Sequence, residues 1–176
     1  MINSMQSSSL QRVSFYKATT AFILEMKANS NFSSVEVVGH SLGGGLAIIT
    51  GAQTGTQAIA LSGPNAGISG RSFDPPVDHE ALNRYTFNII PNHDIVPRFD
   101  DRADNFQIIR CDTTLNNFLA CHDFTRSFCE IIYTCGTGNR PAVCECHTLY
   151  GYPKPLTDGN ETFDEVCARK NSQPQG

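Results

Sequence analysis

The stretch Val35-Glu36-Val37-Val38-Gly39-His40-Ser41-Leu42-Gly43-Gly44-Gly45-Leu46-Ala47 constrains this chain more than any other. A β-branched run meets Gly-x-Ser-x-Gly and then turns small and apolar. That is the pattern of a strand passing through a tight turn into a helix packed on a sheet. A serine in such a turn is held in a strained backbone conformation with its hydroxyl pushed above the sheet, the nucleophile elbow of serine hydrolases. Gly39 and Gly43 are expected to flank Ser41 because side chains there would collide with the neighbouring strand and helix.

The rest of the chain extends this into an α/β pattern. Residues 9–28 carry an apolar stripe at helical spacing (Leu10, Val13, Tyr16, Ala21, Leu24, Ala28), broken by Lys17, and predict one long helix. A helix is predicted after the elbow, over residues 42–54, with short buried strands at 35–38, 57–61, 85–90 and 106–110. Apolar strands alternating with helices predict a mostly parallel sheet covered on both faces, followed by an irregular cysteine-rich part. At 176 residues a single domain spanning 1–176 is expected.

Net charge is −4, and the 13 Lys and Arg residues are scattered among 17 acids, so no basic patch suggests nucleic acid. No apolar stretch approaches the roughly 20 residues that span a bilayer as a helix. All seven cysteines fall in the last 66 residues of the chain: Cys111, Cys121, Cys129, Cys135, Cys144, Cys146 and Cys167. Such density predicts disulfides and an oxidising compartment, secreted or in a lysosomal or vacuolar lumen. The sequons Asn31-Phe32-Ser33 and Asn160-Glu161-Thr162 point the same way. Residues 1–10 do not form a signal peptide, so an upstream segment is expected, carrying a partner for the odd cysteine. A zinc site built from Cys129, Cys135, Cys144, Cys146 and His147 is the alternative, but paired C-x₂-C knuckles are absent and disulfides are favoured.

A serine hydroxyl becomes a nucleophile when a histidine accepts its proton and a carboxylate orients that histidine. On an α/β-hydrolase scaffold these follow in the order Ser, acid, His. Asp94, four residues beyond the predicted strand end at Ile90, fits the acid; Asp74, Asp78, Asp100, Asp101 and Asp104 do not follow a strand so directly. Only His122 and His147 lie beyond Asp94. His40 is expected to pack or hydrogen-bond within the elbow, His79 to be exposed, and His93 to line the pocket. His122 opens a predicted amphipathic helix with Phe124, Phe128 and Ile132 on one face, whereas His147 sits beside Cys146 in a predicted loop.

Three motifs carry a family resemblance: Gly39-His40-Ser41-Leu42-Gly43-Gly44, Pro64-Asn65-Ala66-Gly67 and Asp94-Ile95-Val96-Pro97. Over roughly residues 9–152 the chain resembles the fungal-type triacylglycerol lipase family, the class 3 lipases. The resemblance implies a partial α/β-hydrolase that cleaves acylglycerols or related lipid esters without cofactor or metal, in transient contact with a lipid–water interface. It implies Ser41 as nucleophile, Asp94 as the orienting acid and the Leu42 N–H as an oxyanion donor. The family histidine lies near the C-terminus before an aromatic residue, so His147-Thr148-Leu149-Tyr150-Gly151 is the matching segment and His147 the implied base. Two departures stand out. Ser62 occupies the place of the first glycine of the family's Gly-x-Pro-x-x-Gly turn. Only 40 residues precede Ser41, leaving no counterpart for the upstream strand, the oxyanion loop and the lid. A small-ester (feruloyl-type) esterase and a non-catalytic lipid- or protein-binding module are the competing expectations.

Overall fold

A computed structural model describes residues 15–29, 31–111, 119–135, 143–154 and 162–172. The chain forms two compact units, Met1–His122 and Asp123–Gly176. In the first, α1 (Phe15–Ala28), β1 (Val37–His40), α2 (Leu42–Thr54), β2 (Ala58–Leu61), α3 (His79–Tyr85), β3 (Thr86–Pro91) and β4 (Phe106–Ile109) follow in order. The four strands form one sheet in the order β1-β2-β3-β4, every neighbouring pair parallel. Parallel neighbours need crossovers, and α2 and α3 supply the first two.

Helix α2 packs against the sheet through small residues. A Cβ at Gly51 would come within 2.5 Å of the Ala58 Cβ, and one at Gly44 within 2.8 Å of the Gly63 Cα. Its face is buried with Ile48 and Ala52 against Ala60, Ala66, Val77 and Leu82. The helix ends at Gly55, whose φ of 63° suits a residue without a Cβ.

Three expectations need correction. The buried face of α1 is Tyr16, Thr20 and Ile23, while Leu24 is exposed. Polar contacts with α2 set that face: Thr19 Oγ1 meets Thr50 Oγ1 at 2.9 Å and Thr20 Oγ1 donates to Gln53 Oε1 at 2.8 Å. Leu10 and Val13 lie outside the described residues. Among the described residues, one face of the sheet is also less covered than expected. Val38, Ile59 and Phe87, adjacent in register on one face, are 71%, 42% and 38% exposed. Helix α3 also forms where the sequence pattern predicts no element. Only Leu82 is buried in it, so its periodicity is faint, and its start is set by Asp78, whose carboxylate accepts the Ala81 N–H at 2.7 Å.

The second unit contains α4 (Phe124–Cys135), α5 (Cys144–Thr148) and α6 (Phe163–Ser172). Disulfides Cys129–Cys146 and Cys144–Cys167 staple it; Cys144, Phe163 and Cys167 form one small buried cluster, and Cys129, Ile132 and Cys146 are buried as well. Three of the four cysteines in the zinc alternative are therefore committed to bridges; the Cys135 side chain lies outside the described positions. A third disulfide, Cys111–Cys121, belongs to the first unit. Among the described residues, no helix is long and apolar enough to cross a membrane.

Candidate active site

Strand β1 delivers its last residue, His40, directly into Ser41, where φ is 57° and ψ is −125°. This sparsely populated conformation is held from both sides. The Ser41 N–H donates to the Leu61 carbonyl at 3.0 Å, extending the ladder with β2, and the Ser41 carbonyl accepts the Gly45 N–H at 3.1 Å, opening α2. A Cβ at Gly39 would fall 2.1 Å from the Gly43 carbonyl oxygen, so glycine is required there. Gly43 itself has open space around it, contrary to expectation. The close approaches lie at the next two glycines, where a Gly44 Cβ would meet Gly63 and a Gly45 Cβ would come within 2.7 Å of Pro64 Cγ.

Asp94 follows β3 in a tight turn, its N–H donating to the Pro91 carbonyl at 3.1 Å. The residue is 1% exposed. Its Oδ1 accepts the Val96 N–H at 2.9 Å, which leaves Oδ2 for the Nδ1–H of His122 at 3.0 Å. The loop beyond is tied to the turn after β2. Asn65 donates through its side chain to the Pro97 carbonyl and through its backbone to Phe99 at 3.1 Å, and the Gly67 N–H reaches the Asp101 carbonyl at 2.8 Å. Asp100 closes the same junction by accepting the Ile68 and Ser69 N–H groups at 2.6 and 2.9 Å. Burial pushes the Asp100 carboxyl up, but these hydrogen bonds outweigh it and hold the group below its usual 3.8.

His122 completes the arrangement. Its Nε2 lies 2.7 Å from Ser41 Oγ while Nδ1 faces Asp94. With Nδ1–H committed to a carboxylate, Nε2 is the acceptor and the Ser41 hydroxyl the donor. The expectation that His147 would stand there is corrected. His147 lies in α5 rather than a loop, donates its Nδ1–H to the Tyr152 carbonyl at 2.7 Å, and sets its ring edge-on to Phe163. The helix expected to open at His122 begins two residues later, at Phe124, so His122 precedes it. The cue used for His147, a neighbouring cysteine, applies equally to His122: Cys121 precedes it and is bridged to Cys111, two residues past the end of β4.

Leu42, the expected oxyanion donor, is the first residue of α2, where first-turn amides lack intrahelical partners. A hydroxyl in line with an imidazole and a buried carboxylate is an arrangement that can lose its proton as it attacks an electrophilic carbon. In comparisons with known proteins, no family model and no curated protein matches this chain.

Proposed function

We propose that this chain is a serine carboxylic ester hydrolase of the α/β-hydrolase type, lipase-like in its preference for acylglycerols or related lipid esters. The observation that carries the reading is the unbroken line from Asp94 Oδ2 through His122 to Ser41 Oγ, at 3.0 and 2.7 Å. Ser41 Oγ attacks the ester carbonyl carbon as His122 Nε2 takes its proton. The carbonyl oxygen, now an oxyanion, is stabilised by the Leu42 N–H. His122 returns the proton to the departing alkoxide, and water admitted to the acyl-enzyme repeats the steps to release the acid. Asp94 keeps the imidazole in the Nδ1–H tautomer throughout.

The lipid preference draws on the apolar residues that follow the C-terminal ends of the strands. Leu42 after β1, Ile68 after β2 and Phe99 after β3 are all more than half exposed. The three disulfides support an oxidising setting, secreted or in a lysosomal or vacuolar lumen. Asn31 of the first sequon is exposed and open to glycosylation, whereas Asn160 lies outside the described residues. A p-nitrophenyl ester series of increasing acyl length tests the reading. Activity should rise from acetate to medium-chain esters and vanish in Ser41→Ala, a loss on the scale of 10⁶ in kcat seen for triad knockouts in subtilisin. Hydrolysis that survives Ser41→Ala would overturn the proposal, and a preference for acetate alone would remove its lipid part.

A further inference from the structure

We propose that His40 is a positioning residue that holds His122 over Ser41 by gripping its backbone. The inference rests on the hydrolase reading above and extends it to a group for which the sequence suggested packing or hydrogen bonding without a partner. His122 belongs to no helix or strand, since it lies beyond β4 and ahead of α4. Two ring hydrogen bonds fix the direction of the imidazole, but its reach depends on where the main chain sits.

Three contacts among the described residues hold that main chain. The His122 N–H donates to the Leu119 carbonyl at 2.9 Å, and Cys121 is bridged to Cys111. His40 Nε2 lies 3.0 Å from the His122 carbonyl oxygen. A carbonyl can only accept, so His40 Nε2 carries the proton and donates it. The two imidazoles also lie against each other, their centroids 4.9 Å apart at 31°.

The third contact differs from the others in its origin. His40 is the last residue of β1 and is bonded directly to Ser41, so nucleophile and grip ride on the same strand end. Any displacement of that end carries both, and the 2.7 Å separation of Ser41 Oγ and His122 Nε2 is kept. A misplacement of about 1 Å at reacting groups costs on the order of 10²-fold in rate, which makes such a grip catalytically significant.

His40→Leu keeps bulk and removes the donor; His40→Gln keeps an N–H near the position of Nε2. On a short soluble ester, H40L should lower kcat about 10- to 100-fold with KM within about twofold of the parent, while H40Q should keep at least about a third of kcat. The low-field proton resonance of the His122 Nδ1–H, read by NMR without substrate, should shift or broaden in H40L and persist in H40Q. If H40L does not fold, the isosteric pair H40Q and H40E is compared at neutral pH, with H40E expected to be the impaired member. Parental kcat and an unchanged resonance in H40L would overturn the proposal, as would equal impairment of the donor-bearing and donor-free variants. A parent chain that neither hydrolyses esters nor reacts with fluorophosphonate would defeat the hydrolase reading instead, and the NMR comparison would still decide the grip.

Discussion

Ser62 combines two costs at one position, just past the end of β2. Its φ of 56° lies in the left-handed region, and its hydroxyl is fully buried with no hydrogen-bond partner among the described residues. Left-handed backbone costs a residue with a Cβ roughly 1–2 kcal/mol, and an unsatisfied buried hydroxyl adds about 1–3 kcal/mol. Glycine removes both and loses about 0.5–1 kcal/mol through its freer unfolded chain. Ser62→Gly should therefore stabilise the protein by about 1 kcal/mol or more, seen as a higher midpoint in urea; a lower midpoint would contradict this account of the turn. The sequence singled out this serine only through its mismatch with the lipase pattern. Ser41 and Asp94 were legible for a physical reason: both are fixed by short-range signals, a glycine-framed turn and the end of an apolar strand. His122 was not, because its place depends on the Cys111–Cys121 pairing and on a carbonyl that His40 reaches across 82 positions of sequence. Cysteine spacing alone does not disclose pairing.

At the scale of elements, the elbow makes a sharp distinction between two glycines that look equivalent in Gly-x-Ser-x-Gly. A methyl at Gly39 meets the backbone carbonyl of Gly43, which cannot swing aside as a side chain would. Gly39→Ala should cost about 3 kcal/mol or more, or prevent folding, because the β1–α2 turn must open to admit it. Gly43→Ala meets open space in the first turn of α2 and should be neutral or stabilising by up to about 1 kcal/mol, since alanine favours helix. Thermal melts of the two variants decide the matter, and equal destabilisation would show that the turn is packed differently. The four strands were legible to within about two residues, because buried parallel strands read as continuous β-branched runs. The buried face of α1 was not. Threonines that bond to Thr50 and Gln53 are invisible to a pattern that counts apolar residues.

The whole molecule divides its means of stability between its two units. Met1–His122 buries an apolar core between α2 and the sheet, whereas the buried apolar side chains described in Asp123–Gly176 are Ile132, Phe163 and the bridged cysteines, so this unit relies on its two bridges. Short chains with little core need such staples. Reduction should accordingly remove amide hydrogen-exchange protection from 124–134 and 144–148 while leaving 47–52 and 58–61 protected. Simultaneous loss in both regions would mean that the sheet unit depends on the bridges as well. The cysteine density foretold bridging, and the parallel sheet was foretold by the alternation of strands and helices. The exposed face of Val38, Ile59 and Phe87 was not, since a continuous apolar strand reads the same whether one face or two is covered. The central claim, that Asp94, His122 and Ser41 act together, is tested most directly by fluorophosphonate labelling followed by peptide mapping. The parent chain and His147→Ala should carry the adduct on Ser41, while His122→Ala and Ser41→Ala should not. Retained labelling in His122→Ala with loss in His147→Ala, or an unmodified Ser41 in the parent, would contradict the account.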